Sequence, residues 1–214
     1  MVEIMAEKFS YYLTFEKKDI AVYTSHLDVV RVFSRAFARS KLPICFTEGF
    51  TKRPYLIFPY PLPLGTAGEN EILEFKTHNE IYNENDFMSS INNYLPSGFK
   101  VSAVFSNSIP RFIFAEYEIL YCDHLDTRVV KSFIDRDRIE AKKFSKKKGT
   151  VVVDLKAFIK DIEIRDNGDI RLILPVGENN NINVNVFINA LSEYTNLKPE
   201  LFCAKRLKFI NSAP

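Results

Sequence analysis

Twice along this chain the spacing of apolar residues changes in the same order, and that recurrence limits the fold more than any single motif. KFSYYLTFE, from Lys8 to Glu16, alternates as a strand does, and DIAVYT continues as a short extended piece. Helical spacing then takes over. Ser25 is placed to cap that helix, with Asp28 three residues on as in a capping box. Leu27, Val30, Phe33, Phe37 and Ala38 share an arc expected to face a sheet, and Pro43 limits the helix end. Strand-like ICFTE, the run GFTKRPYLIFPYPLPLG and EILEFKTH follow, then ENDFMSSINNYL as a second helix and FKVSAVF as a closing strand.

The second half repeats the order. FAEYEILY reads as a strand and TRVVKSFIDRD as a helix. Two or more strands run through KGTVVVD and IKDIEIRDNGDIRLILP, turning at Asn167 and Gly168. INVNVFINALSEY is the second helix and ELFCAKRLKFI the last strand. Strand, helix, two strands, helix, strand is the ferredoxin-like order, in which two helices cover one face of an antiparallel sheet. The expectation is an α+β fold of two ferredoxin-like (βαββαβ) halves, residues 1–107 and 108–214, parted within NSIPRFI where Pro110 interrupts the pattern. The hexapeptides YTSHLD (Tyr23 to Asp28) and YCDHLD (Tyr121 to Asp126) recur at the first strand-to-helix junction of each half, which favours duplication.

Residues 49–65 pack four aromatics, two adjacent cations and four prolines into one run. In an extended chain Pro59, Pro61 and Pro63 all withhold donors from the same edge. The segment is therefore a protected edge strand or an extended rim, not a central strand. Phe50, Tyr55, Phe58 and Tyr60 beside Lys52 and Arg53 make a stacking platform with phosphate contacts, or else pack on the core face; only Lys52 and Arg53 resist the second account.

SHLDVVRVFSRAFARSKLP, then EGFTKRPYLIFPYPLPLG and the acidic EILEF strand, resembles the N-terminal motif run of the radical-SAM-linked protein family, a bacterial domain of unknown function. VVVDLKAFIKDIEIRDNGDIRLIL is similar to its C-terminal portion, so the resemblance spans nearly the whole chain. Two departures stand out. Thr51 and Lys52 replace the polar-Pro pair usual before Arg53, and NNNINVNVF lacks the Arg-Pro often found there. The resemblance implies a radical SAM protein as partner. The chain has no CxxxCxxC site for an iron-sulfur cluster, so it would be the linked module alone.

Arg31, Arg35 and Arg39 recur every four residues, a spacing at which like charges repel by about 0.2–0.5 kcal/mol per pair. RNA phosphate, an acidic partner surface, or carboxylates such as Asp28 and Glu48 would each offset them. His26, at a helix start, suits either a structural role or general acid–base work. His78 and His124 show no metal-ligand spacing with cysteine, and no P-loop or GxGxxG is present, so neither metal nor cofactor is expected. With 29 cations against 27 anions, nucleic-acid binding must come from local patches, of which Lys142 to Lys148 is one.

Three cysteines, at 45, 122 and 203, are odd in number and far apart, which argues against a disulfide framework. MVEIMAEKFSYY lacks the pattern of a signal peptide, and no apolar run approaches the roughly 20 residues of a membrane helix. The expected location is the cytoplasm, off the membrane. Three functions fit these residues. One is an accessory module binding RNA or a ribonucleoprotein target through Arg31, Arg35, Arg39, Phe50, Lys52, Arg53 and Tyr55. The second is a protein adaptor docking a radical SAM enzyme, and the third a metal-independent RNA-processing enzyme using His26.

Overall fold

The computed structural model describes residues 8–106, 108–122, 125–145, 149–177 and 181–211. The chain divides into two compact units, Met1–Pro110 and Arg111–Pro214. The expected parting point, Asn107, lies outside the described residues, as do His124 and Lys146 to Lys148 of the basic run. The architecture is α+β.

In the first unit β1 (Phe9–Lys17) leads through α1 (His26–Arg39) to a two-residue β2 (Leu56–Ile57), then β3 (Thr66–Thr77), α2 (Glu84–Asn92) and β4 (Phe99–Phe105). The strands pair antiparallel in the order β4-β1-β3, with β2 on β3. That is the last-first-third-second order of a ferredoxin-like sheet. Tyr11, Leu13 and Phe15 turn inward at every second position of β1 and meet Phe33 and Phe37 of α1 and Phe87 and Ile91 of α2. Phe75 lies at the centre, its ring 5.8 Å from Tyr11, 5.3 Å from Phe37 and 5.2 Å from Phe87. Burying several such rings at roughly 25 cal/mol per Å² is the main attraction holding this layer closed.

The second unit runs β5 (Phe114–Tyr121), α3 (Thr127–Ile134), β6 (Glu140–Ser145), β7 (Gly149–Asp154), β8 (Asp161–Ile164), β9 (Ile170–Pro175), α4 (Val184–Thr195) and β10 (Phe202–Ile210). Four of its strands take the order β10-β5-β9-β8, again last-first-third-second, while β6 and β7 form a separate antiparallel hairpin between α3 and β8. Phe133 of α3 and Phe187 of α4 meet edge to face at 5.8 Å over this unit's core. Gly168, at φ +90, makes the tight β8–β9 turn that Asn167-Gly168 announces.

Four local readings are corrected. DIAVYT is not extended. Asp19 takes a left-handed φ of 51°, and Lys18 and Ala21 carbonyls accept from Ala21 and Thr24 N–H at 3.0 Å each, which closes 3₁₀ turns over Asp19–Tyr23. ICFTE is not a strand; single bridges join Ile44 to Thr77 and Phe46 to Pro54, and Pro54 has no N–H with which to extend a ladder. The buried face of α1 is Val29, Phe33, Ala36 and Phe37, while Leu27 is 66% exposed and Ala38 also faces outward. Apolar residues cover well over half of this helix's circumference, so period alone fits two overlapping arcs, and burial in the core selects the one with Val29 and Ala36. Strand β6 carries three charges in six residues, EAKKFS, and gives no alternation that would announce it.

The YTSHLD and YCDHLD copies also differ in register. Ser25 caps α1, so Asp28 stands inside the first turn, whereas Asp126 itself is the cap of α3. Both lie at the junction, offset by three residues.

Candidate functional site

The bridge between Phe46 and Pro54 turns residues 47–53 into an exposed tip on the first unit. Three bonds hold its base: Tyr55 N–H to Cys45 C=O at 2.8 Å, Thr47 N–H to Arg53 C=O at 2.8 Å, and Arg53 N–H to Thr47 Oγ1 at 3.2 Å. Phe50 projects from this tip with its side chain wholly in solvent, and Lys52 and Arg53 follow it, both exposed. A single exposed ring is ordinary on a surface; the two cations beside this one are what mark it. Tyr55 is half-buried, with Lys76 Nζ 4.8 Å from its ring centre, so one face of that ring already carries a cation.

Arg31, Arg35 and Arg39 emerge along the exposed side of α1, each about 6 Å further along the axis. Ser25 Oγ accepts from Asp28 N–H at 3.2 Å and starts the helix. The Asp28 carboxylate then receives the Ser25 hydroxyl at 2.7 Å and Arg31 Nη1 at 2.9 Å, which together hold it below the usual carboxylate range. Arg31 is thus partly neutralised. Glu48, expected near the arginines, pairs instead with Lys8 at 3.3 Å. Among the described residues no carboxylate lies within ion-pair distance of Arg35, Arg39, Lys52 or Arg53.

His26 stands elsewhere, in a small pocket roofed by the proline-rich rim. Phe15, Lys17, His26, Phe58, Tyr60 and Glu71 are among its walls. The His26 ring meets Phe58 edge-on at 5.6 Å, and burial followed by the charge of Lys17 pushes its pKa below the usual histidine value. Lys17 and Glu71 are themselves buried, and Lys17 Nζ donates to Thr24 C=O at 3.0 Å. The enclosed volume is about 10 Å³, room for one water and far below what a nucleotide needs. This geometry holds His26 half-buried under the rim, among mostly apolar walls with Lys17 and Glu71 as the charged members. The rim itself is anchored by Leu62, which is buried, and by Phe58 against Phe33 at 5.8 Å.

A family model described as an uncharacterized protein conserved in bacteria (DUF2344) matches residues 10–186, from β1 into the first turn of α4. The chain belongs to this family. The matched span of this DUF2344 protein holds α1, the exposed tip, the rim and the pocket. A search of curated proteins found no match. No helix among the described residues is long and apolar enough to cross a membrane.

Lys17 and Glu71 were not legible as a site in the sequence. The only signal was that β1 keeps its inward period through Leu13, Phe15 and on to Lys17, where a charged residue stands in an apolar slot. The expected groups fall into two sets in the first unit: Arg31, Arg35 and Arg39 on α1, and Phe50, Lys52, Arg53 and Tyr55 on and beside the hairpin tip.

Proposed function

We propose that this DUF2344 protein is a non-catalytic accessory module that binds RNA, alone or within a ribonucleoprotein, and works beside a radical SAM enzyme. One observation carries the reading: Phe50 is fully exposed at the tip next to Lys52 and Arg53, two cations that no carboxylate pairs with among the described residues. An exposed ring next to unneutralised cations is the combination by which single-stranded nucleic acid is held, base stacking on the ring while phosphates meet the cations. Arg35 and Arg39 add two further charges on α1 with no ion pair among the described residues. The link to a radical SAM enzyme rests on the motif resemblance of the SHLD helix and the GFTKRPYLIFPYPLPLG run.

The test is binding of cellular RNA to the purified protein across a salt series. Four cations engaging single-stranded phosphate give a slope of log affinity against log salt near −0.7 per contact, about −3 in all. Replacing Lys52 and Arg53 together by Ala should halve it. No retention at the lowest salt overturns the RNA reading.

A second reading has its own support. Ile20, Tyr23 and Leu27 are 73%, 74% and 66% exposed, and the exposed Leu64 precedes Gly65, whose N–H donates to Val22 C=O at 2.9 Å. An apolar surface of this kind suits a protein adaptor. Co-purification with the radical SAM protein that is lost in a Tyr23→Ser, Leu27→Ser variant, with RNA binding intact, would favour it.

A further inference from the structure

The three cysteines are remote in sequence, yet two of them meet in the second unit. β5 and β10 pair antiparallel with Phe202 opposite Tyr121 and Cys203 opposite Leu120. Continued by one step, that register sets Cys122 opposite Leu201, and the Cys122 N–H donates to the Leu201 carbonyl at 2.9 Å. Leu201 closes the short 3₁₀ turn that feeds β10 and Cys203 stands two residues on, so the β5–β10 pairing brings Cys122 and Cys203 to the same end of the two strands. The two thiols lie in hydrogen-bonding contact, and both residues are exposed. Cys45, by contrast, is buried in the first unit. The odd count therefore resolves into one core cysteine and one accessible cross-strand pair.

Two adjacent thiols serve either as metal ligands or as a dithiol that oxidises. As a dithiol the pair needs no further side chain, whereas a zinc site needs two more ligands. We infer that Cys122 and Cys203 are a redox-active dithiol that closes to a disulfide when the protein meets an oxidised low-molecular-weight disulfide such as glutathione disulfide. The Cys122 thiolate attacks one sulfur of the oxidant and releases the first small thiol. The Cys203 thiolate then attacks the Cys122 sulfur of the mixed disulfide and releases the second. One protein S–S bond forms, one S–S bond of the oxidant breaks, and the two thiol protons leave on the two released thiols. Cys122 is the attacking group because burial and the neighbouring Cys122 sulfur push the Cys203 thiol up, which leaves Cys203 the poorer first nucleophile.

Cys122 directly follows the last residue of β5 and Cys203 is the second residue of β10, so the bond closes at the end of the paired strands. Both residues are exposed there, and an exposed disulfide is the more readily reduced kind, which suits a reversible modification rather than a permanent staple.

The experiment uses the full-length protein, reduced and then incubated with excess glutathione disulfide, acid-quenched, alkylated under denaturing conditions and mapped by peptide mass. The expected product carries alkyl label on Cys45 only and a linked peptide joining Cys122 to Cys203, and dithiothreitol restores three labelled cysteines. Cys203→Ser should instead trap glutathione on Cys122, since the resolving thiol is gone. The inference is overturned if the unaltered protein keeps all three thiols, if it accumulates glutathione on both exposed cysteines without the linked peptide, or if the only linkage formed joins separate molecules.

Discussion

Replacing Phe50 by Ala should weaken RNA binding without touching the fold. The ring is wholly exposed, so its removal forfeits no burial, and the unfolding midpoint should stay within the roughly ±0.5 kcal/mol usual for surface changes. If a base stacks on that ring in the complex, its loss costs about 1–3 kcal/mol, or roughly 5- to 150-fold in affinity. The offset should be the same at every salt concentration, because a phenyl ring releases no counterions. Fluorescence anisotropy of a labelled single-stranded RNA, titrated at three ionic strengths, separates the two effects: Phe50→Ala displaces the line and leaves its slope, whereas loss of Lys52 and Arg53 flattens it. Phe50→Tyr should restore binding and Phe50→Leu should not, since Leu supplies apolar area without a π face. Binding by Phe50→Ala within twofold of the unaltered protein, or full rescue by Leu, would refute the stacking argument.

Three further outcomes test the scaffold. Phe33→Ala removes a fully buried ring packed on Phe15 at 4.7 Å, Phe58 at 5.8 Å and Phe99 at 6.0 Å, and should cost about 3–5 kcal/mol in urea unfolding; it should also loosen the rim to protease, because Phe58 loses its partner. Gly98→Ala forces a Cβ into a φ of +86° and to 2.5 Å from the Lys18 carbonyl oxygen, so the midpoint should fall with unchanged m-value by more than about 1 kcal/mol. His26 has a folded pKa below its unfolded value of about 6.5, so the native state binds fewer protons and stability is lost as pH falls through the window beneath that value. Denaturation series on either side of pH 6.5 should show this decline, and His26→Asn should flatten it; an equal decline in the variant would remove His26 as its source.

Most elements were legible in the sequence because they are set locally, DIAVYT, ICFTE and β6 being the exceptions. Period 2 in FSYYLTF, the Ser25 cap before VVRVFSRAF and Asn167-Gly168 between two strands are readable within a few residues, and β4 and β5 fall on the expected FKVSAVF and FAEYEILY. The alternating prolines likewise foretold that residues 59–63 are no central strand, since a missing donor is a property of the residue itself, and of the edge strand and the rim left open it is the rim that forms.

Tertiary structure decided whatever depends on which distant atoms meet. α1 has apolar residues on both candidate faces, and only docking on the sheet chose Val29 and Ala36 over Leu27 and Ala38. Lys17 and Glu71 become buried neighbours of His26 only when β1 and β3 pair. Cys122 and Cys203 become neighbours only through the β5–β10 register. A local sequence determines backbone preference because that preference is paid within a turn or a strand pair; burial and proximity are paid across the whole unit, and no short window of residues contains them.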